Sequence, residues 1–507
     1  MRTLLRDNRG LLIAFVLINL AVKGAFLSIN QGEYTDGILQ LTVFENKAGL
    51  YPPLYGALAQ ALHGAGLGLE LAGRVMSLLA AALCVVPVFW LGARLGGLNA
   101  AVAAALFYTL SPMPWRWSVR VMTDSLYLLL STVAVVALME AWLSVGSDHR
   151  RRAARWLAAG VAAGALACLT RYQGVLLAPL VALAGVVFVR KFRAVPVAAC
   201  VAGLLWLAVP GWMAWNGFAH GGQMADRVAG SMLANLGAWW NTLESFVLVA
   251  PYYLGYPIAL FGVLGAVALY RGGAGSVQRA FTVLWGVYAV LLLALHARFG
   301  SFQYRYMMPL VPAVVALAGA GYSWLDARTL HHSRRWIQSA ALIGSIAYLA
   351  LLGLAVMTLQ RGAFGDQREA AQWIDANVPA DVPVYSNERY GAFTELESVK
   401  LSFWSGRRVQ IVPFTGEPMP AGAVLVLGTA YGGDEAVGAL LTELSTRYNL
   451  QPLTPEPFRS ELLPLMDDIM VNPMFNQNPM GWVMRYVPQR FATQIFRVEP
   501  RATGAAQ

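Results

Sequence analysis

Val121–Leu143 reads VMTDSLYLLLSTVAVVALMEAWL, a nearly unbroken apolar run with a carboxylate, Asp124, close to its head. About 20 such residues, wound as a helix, cross a hydrocarbon core about 30 Å thick. Similar blocks recur on either side, at roughly 11–29, 72–93, 98–114, 156–170, 174–190, 194–214, 247–270, 280–296, 306–325 and 336–358. With the quoted run they predict about 11 transmembrane helices, hence a mainly α polytopic membrane protein. Pro and Gly inside several blocks are compatible with lipid-embedded helices.

Composition points the same way. Of 507 residues, 57% are hydrophobic and 13% charged, whereas soluble domains are about 45–50% apolar. A disordered chain and a wholly soluble enzyme are both excluded. The formal charge of +10 comes from 37 Lys+Arg against 27 Asp+Glu. That excess falls in short clusters between apolar blocks, the pattern of membrane topology and not of nucleic-acid binding. With the N-terminus in the cytoplasm, Arg2, Arg6 and Arg9, the cluster Arg150–Arg155, Arg190–Arg193 and Arg334–Arg335 lie inside. Basic residues there outnumber those of the outer segments by about two to one. Leu11–Ile29 reads as an uncleaved first span, being long for a signal peptide. Cys84, Cys168 and Cys200 each lie in an apolar block, so no disulfide framework or zinc site is implied.

From about residue 360 the chain regains charge and loses its long apolar runs. Gln367–Asn377 and Asp434–Tyr448 read as helices; Val382–Tyr385, Val409–Val412, Val424–Leu427 and Gln494–Val498 read as strands. Asp467–Tyr486 reads as irregular loop. An odd number of spans places this part outside, so the organisation is a transmembrane domain, 1–360, and an extracytoplasmic α/β domain, 361–507. The first outer loop, 30–71, is long, and its Ile38, Leu39, Leu41 and Phe44 are spaced for a helix lying in the interface.

Ionisable groups near membrane depth are costly, so each outer one is a functional candidate. The acidic ones are Glu33, Asp36, Glu45, Glu70, Asp124, Asp226 and Glu244. Glu33 and Asp36, three apart, share a face if helical; the plainer reading is a solvated pair or a cap. Thr123 or Asp124 can cap the fourth span, or Asp124 can point into a cavity opposite Glu33 and Asp36. Arg171, Arg298 and Arg305 gather on the same side. A guanidinium suits lipid headgroups, carboxylates or a phosphate that it grips with two hydrogen bonds. Histidine offers no paired spacing, His296 merely closing a span. No Walker loop, GxGxxG fold signature, HExxH or GxSxG elbow occurs, so nucleotide-driven and triad chemistry have no support.

Five stretches occur in order: Glu33–Asp36, Tyr51-Pro52-Pro53-Leu54-Tyr55, Met122-Thr123-Asp124-Ser125-Leu126, Thr170-Arg171-Tyr172-Gln173-Gly174 and Arg305-Tyr306-Met307-Met308-Pro309-Leu310. Together they resemble the GT-C glycosyltransferases, in the bacterial branch related to protein O-mannosyltransferase and lipid A aminoarabinose transferase. The resemblance covers about residues 10–360 and, more loosely, the outer domain. It implies an integral-membrane inverting enzyme that moves a sugar from a polyprenyl-phosphate donor to a lipid, glycan or protein acceptor on the outer face. It implies a first-loop carboxylate as general base, on Asp36 or Glu33, with Asp36 favoured and Glu33 assisting. The family pattern has an adjacent Asp-Glu pair, from which Glu33 and Asp36 depart. It also implies Asp124 at the donor or metal site, and Arg305, Tyr306, Arg171, Arg298 and Lys47 near the donor phosphate.

Carboxylates in oxygen-rich surroundings also suit Mg²⁺ or Mn²⁺, with Glu33, Asp36 and Asp124 as candidate ligands. The competing reading, a multi-pass transporter or lipid-linked sugar flippase without covalent chemistry, calls for mid-span charges and internal repeats. Lys23 is the clearest mid-span charge and no repeat is visible. The resemblance places the chain in a bacterial inner membrane, with membrane lipid and no nucleic acid as its surroundings.

Overall fold

A computed structural model describes residues 8–45, 51–215, 250–271, 275–299, 304–329, 335–388, 397–412, 418–431, 433–466 and 486–501, with single positions at 240, 243 and 247. The chain divides into two compact units: Met1–Leu27, Gln40–Met357 and Met466–Trp482 form one, and Ser28–Leu39, Thr358–Leu465 and Val483–Gln507 the other.

The first unit is helical. Among the described residues six stretches are long and apolar enough to cross a membrane: Leu69–Leu110, Asp124–Gly146, Tyr172–Phe192, Ser276–His296, Tyr304–Arg328 and Gln338–Leu359. The first is not one rod. Gly96 and Gly97 leave helical geometry, Gly97 with φ 79°, a backbone shape that glycine adopts without steric cost. A Cβ on Gly92 would lie 2.9 Å from Ala100 O, so the chain doubles back there, between the expected spans 72–93 and 98–114. The count of eleven is not reproduced as such. Arg9–Gly24 has only 16 residues and buries Lys23, Arg150–Cys168 opens on three arginines, and Val197–Trp212 and Tyr256–Arg271 are shorter apolar helices.

Small residues let these helices approach closely, as is common where lipid supplies no hydrophobic drive for association. A Cβ on Gly265 or Gly321 would collide with the main chain of the facing helix, at Leu317 O and Phe261 O respectively. Glu140, fully buried, ties three helices together. It accepts from both arms of the Arg94 guanidinium and, at 3.0 Å, from Trp90 Nε1, with Arg152 Nη2 3.6 Å away.

The second unit is built on a six-stranded sheet: β1 (Val384–Ser386), β2 (Val409–Ile411), β3 (Val424–Gly428), β4 (Tyr448–Pro452), β5 (Phe458–Leu462) and β6 (Gln489–Pro500). The order is β2-β1-β3-β6-β4, with β5 also on β6. β1 runs parallel to β2 and β3, and β6 antiparallel to its three neighbours. Every residue of β3 is buried because both faces are covered, and its sequence is accordingly an unbroken apolar run. On one face Val424, Val426 and Ile495 meet Ala370, Ala371 and Ile374 of the helix Gly365–Asn377. On the other, Leu425, Leu427 and Phe496 meet Leu444 of the helix Gly433–Arg447. Asp366, buried at the start of the first helix, accepts from Ser460 Oγ at 2.6 Å and Thr493 Oγ1 at 2.7 Å, fixing it to β5 and β6. Most of the segment expected as irregular loop, 467–485, lies outside the described residues.

Candidate active site

Four of the five quoted stretches contribute to the first unit, and there their residues interlock. Tyr55 Oη donates to Gly73 O at 2.8 Å and lies 3.0 Å from Ser77 Oγ, which donates to Met122 O at 3.1 Å. Leu54 N–H donates to Leu169 O at 2.9 Å, anchoring the Pro-Pro turn against the approach to Arg171. Thr123 N–H, unsatisfied within its own helix because it lies ahead of the first turn, is taken by Gln40 Oε1 at 2.9 Å.

Around this frame the charges converge. Arg171 Nη1 stands 2.7 Å from Asp124 Oδ1 and donates to Thr123 Oγ1 at 3.3 Å. Neither Thr123 nor Asp124 caps the helix Asp124–Gly146 through its side chain, so the capping expectation is replaced by an ion pair. The helix start still favours a carboxylate there, since its partial positive charge lies under Asp124. Two guanidinium groups approach the Tyr306 ring, Arg171 Cζ at 5.3 Å and Arg305 Cζ at 5.1 Å. Arg305 also lies over Trp117 at 5.4 Å and donates to Met122 Sδ at 3.7 Å and to Tyr306 Oη at 3.4 Å. His296 stacks flat on Tyr306, centroids 4.7 Å apart at 9°, and its Nε2 lies 2.9 Å from Gln173 Nε2.

His296, Arg116 and Arg120, all buried in the same unit, do not stand out in the sequence. The available signal was the glutamine of Tyr172-Gln173-Gly174 and the tyrosine after Arg305: polar groups that need partners once buried. Lys47 lies outside the described residues, as does the side chain of Arg298. Glu33 and Asp36 fall in the segment Ser28–Leu39 of the second unit, Glu33 buried and Asp36 half-buried. Asp36 lies in the first turn of the short helix Thr35–Leu41.

The donor set does not fit a metal ion. Asp124 holds a guanidinium, and among the described residues no three His, Cys, Asp or Glu side chains stand together as ligands. Two guanidinium groups at one aromatic ring, one oriented by a buried carboxylate, instead suit an anion such as a phosphate.

Residues 51–215 match the family described as dolichyl-phosphate-mannose-protein mannosyltransferase. No curated protein matches the sequence significantly. Among solved structures, the chain is similar to ArnT from Cupriavidus metallidurans bound to undecaprenyl phosphate. The TM-score is 0.60 at 15% identity, covering 88% of this chain and 96% of that one. It is also similar to the archaeal oligosaccharyltransferase AglB from Archaeoglobus fulgidus in complex with an inhibitory peptide and a dolichol-phosphate, with TM-score 0.53, 12% identity, and 88% and 73% coverage. A form of the Archaeoglobus fulgidus oligosaccharyltransferase in complex with Zn and sulfate gives TM-score 0.54 at 13% identity, covering 88% and 72%. The chain therefore shares the fold of these solved structures, and the segment carrying Asp124 and Arg171 lies within the stretch that matches the mannosyltransferase family.

Proposed function

We propose that this protein is an inverting glycosyltransferase of a bacterial inner membrane, N-terminus in the cytoplasm. In this reading it transfers a sugar from a polyprenyl-phosphate donor to a lipid, glycan or protein acceptor on the outer face. The observation that carries the reading is the Tyr306 ring shared by Arg171 and Arg305, with Asp124 holding Arg171 in place. The relatives bound to undecaprenyl phosphate and to dolichol-phosphate support a lipid phosphate as the anion.

The chemistry follows from the residues. The acceptor hydroxyl or amine gives its proton to Asp36, assisted by Glu33, and its lone pair attacks the anomeric carbon from the face opposite the phosphate. The bond from that carbon to the phosphate oxygen breaks, and polyprenyl phosphate leaves. Its growing charge is met by Arg305 and Arg171, with Tyr306 offering its hydroxyl. Asp124 acts through Arg171, fixing the fork of that guanidinium. Arg298 and Lys47 remain candidate phosphate contacts. Apolar helices supply a surface for the prenyl tail, and no nucleotide is needed.

The test is to incubate purified protein with candidate polyprenyl-phosphate sugars and follow donor consumption. Covalent transfer is expected, and it is expected to vanish in the double variant Glu33→Gln, Asp36→Asn. Sugar-lipid movement across proteoliposomes with no covalent product would overturn the reading in favour of a flippase.

A further inference from the structure

Within the second unit, the contacts that hold Ser28–Leu39 converge on the start of the helix Gly365–Asn377. Gln31 N–H donates to Arg361 O at 2.9 Å, and Arg368 Nη1 donates to Gln31 O at 3.3 Å. Gly32 lies so near that a Cβ there would sit 2.7 Å from both Ala363 O and Phe364 O. Tyr34, next to Glu33, sets its ring edge-on to Phe364, centroids 5.6 Å apart at 86°. Phe364 itself adopts φ 58°, ψ 21°, a left-handed backbone that a bulky side chain takes only when its surroundings enforce it.

Behind that ring stands a buried charge. Lys400 Nζ lies 3.3 Å from the Phe364 ring centroid and has no exposed surface. Glu388 Oε1 is 3.6 Å from the ammonium. Glu388 is itself fixed: Ser398 Oγ donates to its carboxylate, and its N–H donates to Ser386 Oγ at 3.0 Å. Burial pulls the Lys400 pKa down to about 8, with Glu388 and Asp366 opposing the shift. An apolar side chain would fill the same volume without that desolvation cost. What the ammonium adds is attraction to the Glu388 carboxylate and to the face of the ring.

We propose that Lys400 is a positioning residue: clamped by Glu388, its ammonium pins the Phe364 ring, and that ring holds Tyr34 and with it the loop bearing Glu33 and Asp36. The catalytic consequence rests on the base role proposed above; the holding of the loop does not.

Hydrogen exchange on the full-length protein in nanodiscs separates the two. Lys400→Met is expected to raise exchange in residues 28–39 about tenfold, the scale of a lost desolvated cation–π contact, and to leave 124–146 unchanged. Lys400→Arg, which keeps the cation, is expected to stay within about twofold of wild type. In turnover assays Lys400→Met is expected to lower kcat about tenfold with the donor KM preserved. Phe364→Leu, which leaves the Lys400–Glu388 pair in place, is expected to loosen the same residues, and the double variant no further. Unchanged exchange at 28–39 in Lys400→Met or Phe364→Leu, or equal loosening in Lys400→Met and Lys400→Arg, would overturn the proposal. Loosening without loss of kcat upholds the holding role and removes the base assignment instead.

Discussion

Arg171 Nη1 lies 2.7 Å from Asp124 Oδ1 and 3.3 Å from Thr123 Oγ1. Two consecutive residues at the head of one helix therefore aim a single guanidinium. A carboxylate in this position orients a cation and does not wait for one.

Asp124→Asn keeps the shape and removes the charge, leaving Arg171 steered only by neutral groups. The donor kcat/KM is expected to fall by about 10- to 100-fold, the scale of a partly buried charged hydrogen bond. Arg171→Lys loses the fork and is expected to fall comparably. Because the two residues act as one unit, the double variant should be little worse than either single. Additive losses would show that they serve separate purposes.

Arg305 and Tyr306 are assigned to the leaving phosphate. Arg305→Ala and Tyr306→Phe should weaken product inhibition by polyprenyl phosphate, the former by about tenfold or more and the latter by less, since only a neutral hydroxyl is lost. Inhibition constants measured with the free lipid phosphate check this. An unchanged constant in both variants places the phosphate elsewhere.

Replacing Asp36 alone should lower kcat by about 10²- to 10⁴-fold, the range of a lost general base, while Glu33→Gln should cost less. Single-turnover rates with prebound donor make the comparison without interference from binding.

Glu140 holds Arg94, Trp90 and Arg152. Glu140→Leu leaves the partly exposed Arg94 and Arg152 without their carboxylate and should destabilise the protein by about 1–3 kcal/mol. Thermal unfolding followed by tryptophan fluorescence reads that loss. Turnover per folded molecule should stay unchanged, because the cluster shares no residue with the proposed site.

Lys400 supplies a pH test. Its pKa is lowered from 10.5 to about 8 in the folded chain, so between those values the unfolded state binds more protons than the folded one. Stability relative to Lys400→Met should therefore rise as pH climbs from about 8 toward 10.5, and be flat below. Over the same interval the ammonium above Phe364 discharges, so residues 28–39 should loosen after correction for intrinsic exchange. Opposite signs for global stability and local order, measured on one sample, distinguish this lysine from an ordinary surface group.

The long apolar blocks were legible because hydrophobic length alone decides a span. The strand β3 was legible because covered faces force an unbroken run of valine and leucine, and β1 and β2 through buried valines that alternate with half-buried Tyr385 and Gln410. β4 and β5 escaped notice: Tyr448–Pro452 and Phe458–Leu462 alternate with polar and charged residues and have partly exposed patterns. The role of Asp124 was only half legible, since a residue at a helix start reads as a cap until its partner, 47 positions away in the chain, is seen. The anchoring of Gln31 to Arg361 had no local signal at all, because it joins distant segments through main-chain groups. His296 was undervalued for the same reason: its significance lies in Tyr306 and Gln173, not in its neighbours along the helix.

Gly265 and Gly321 put the backbones of Tyr256–Arg271 and Val311–Thr329 in direct contact, and Gly319 does likewise against Ala100. Carbonyl oxygens packed against glycines leave no room for a side chain between the backbones, so these helices and the limb beyond Gly97 interlock. Whatever breathing the bundle performs is thereby directed to seams cushioned by larger side chains, and a single methyl at either glycine would act as a wedge.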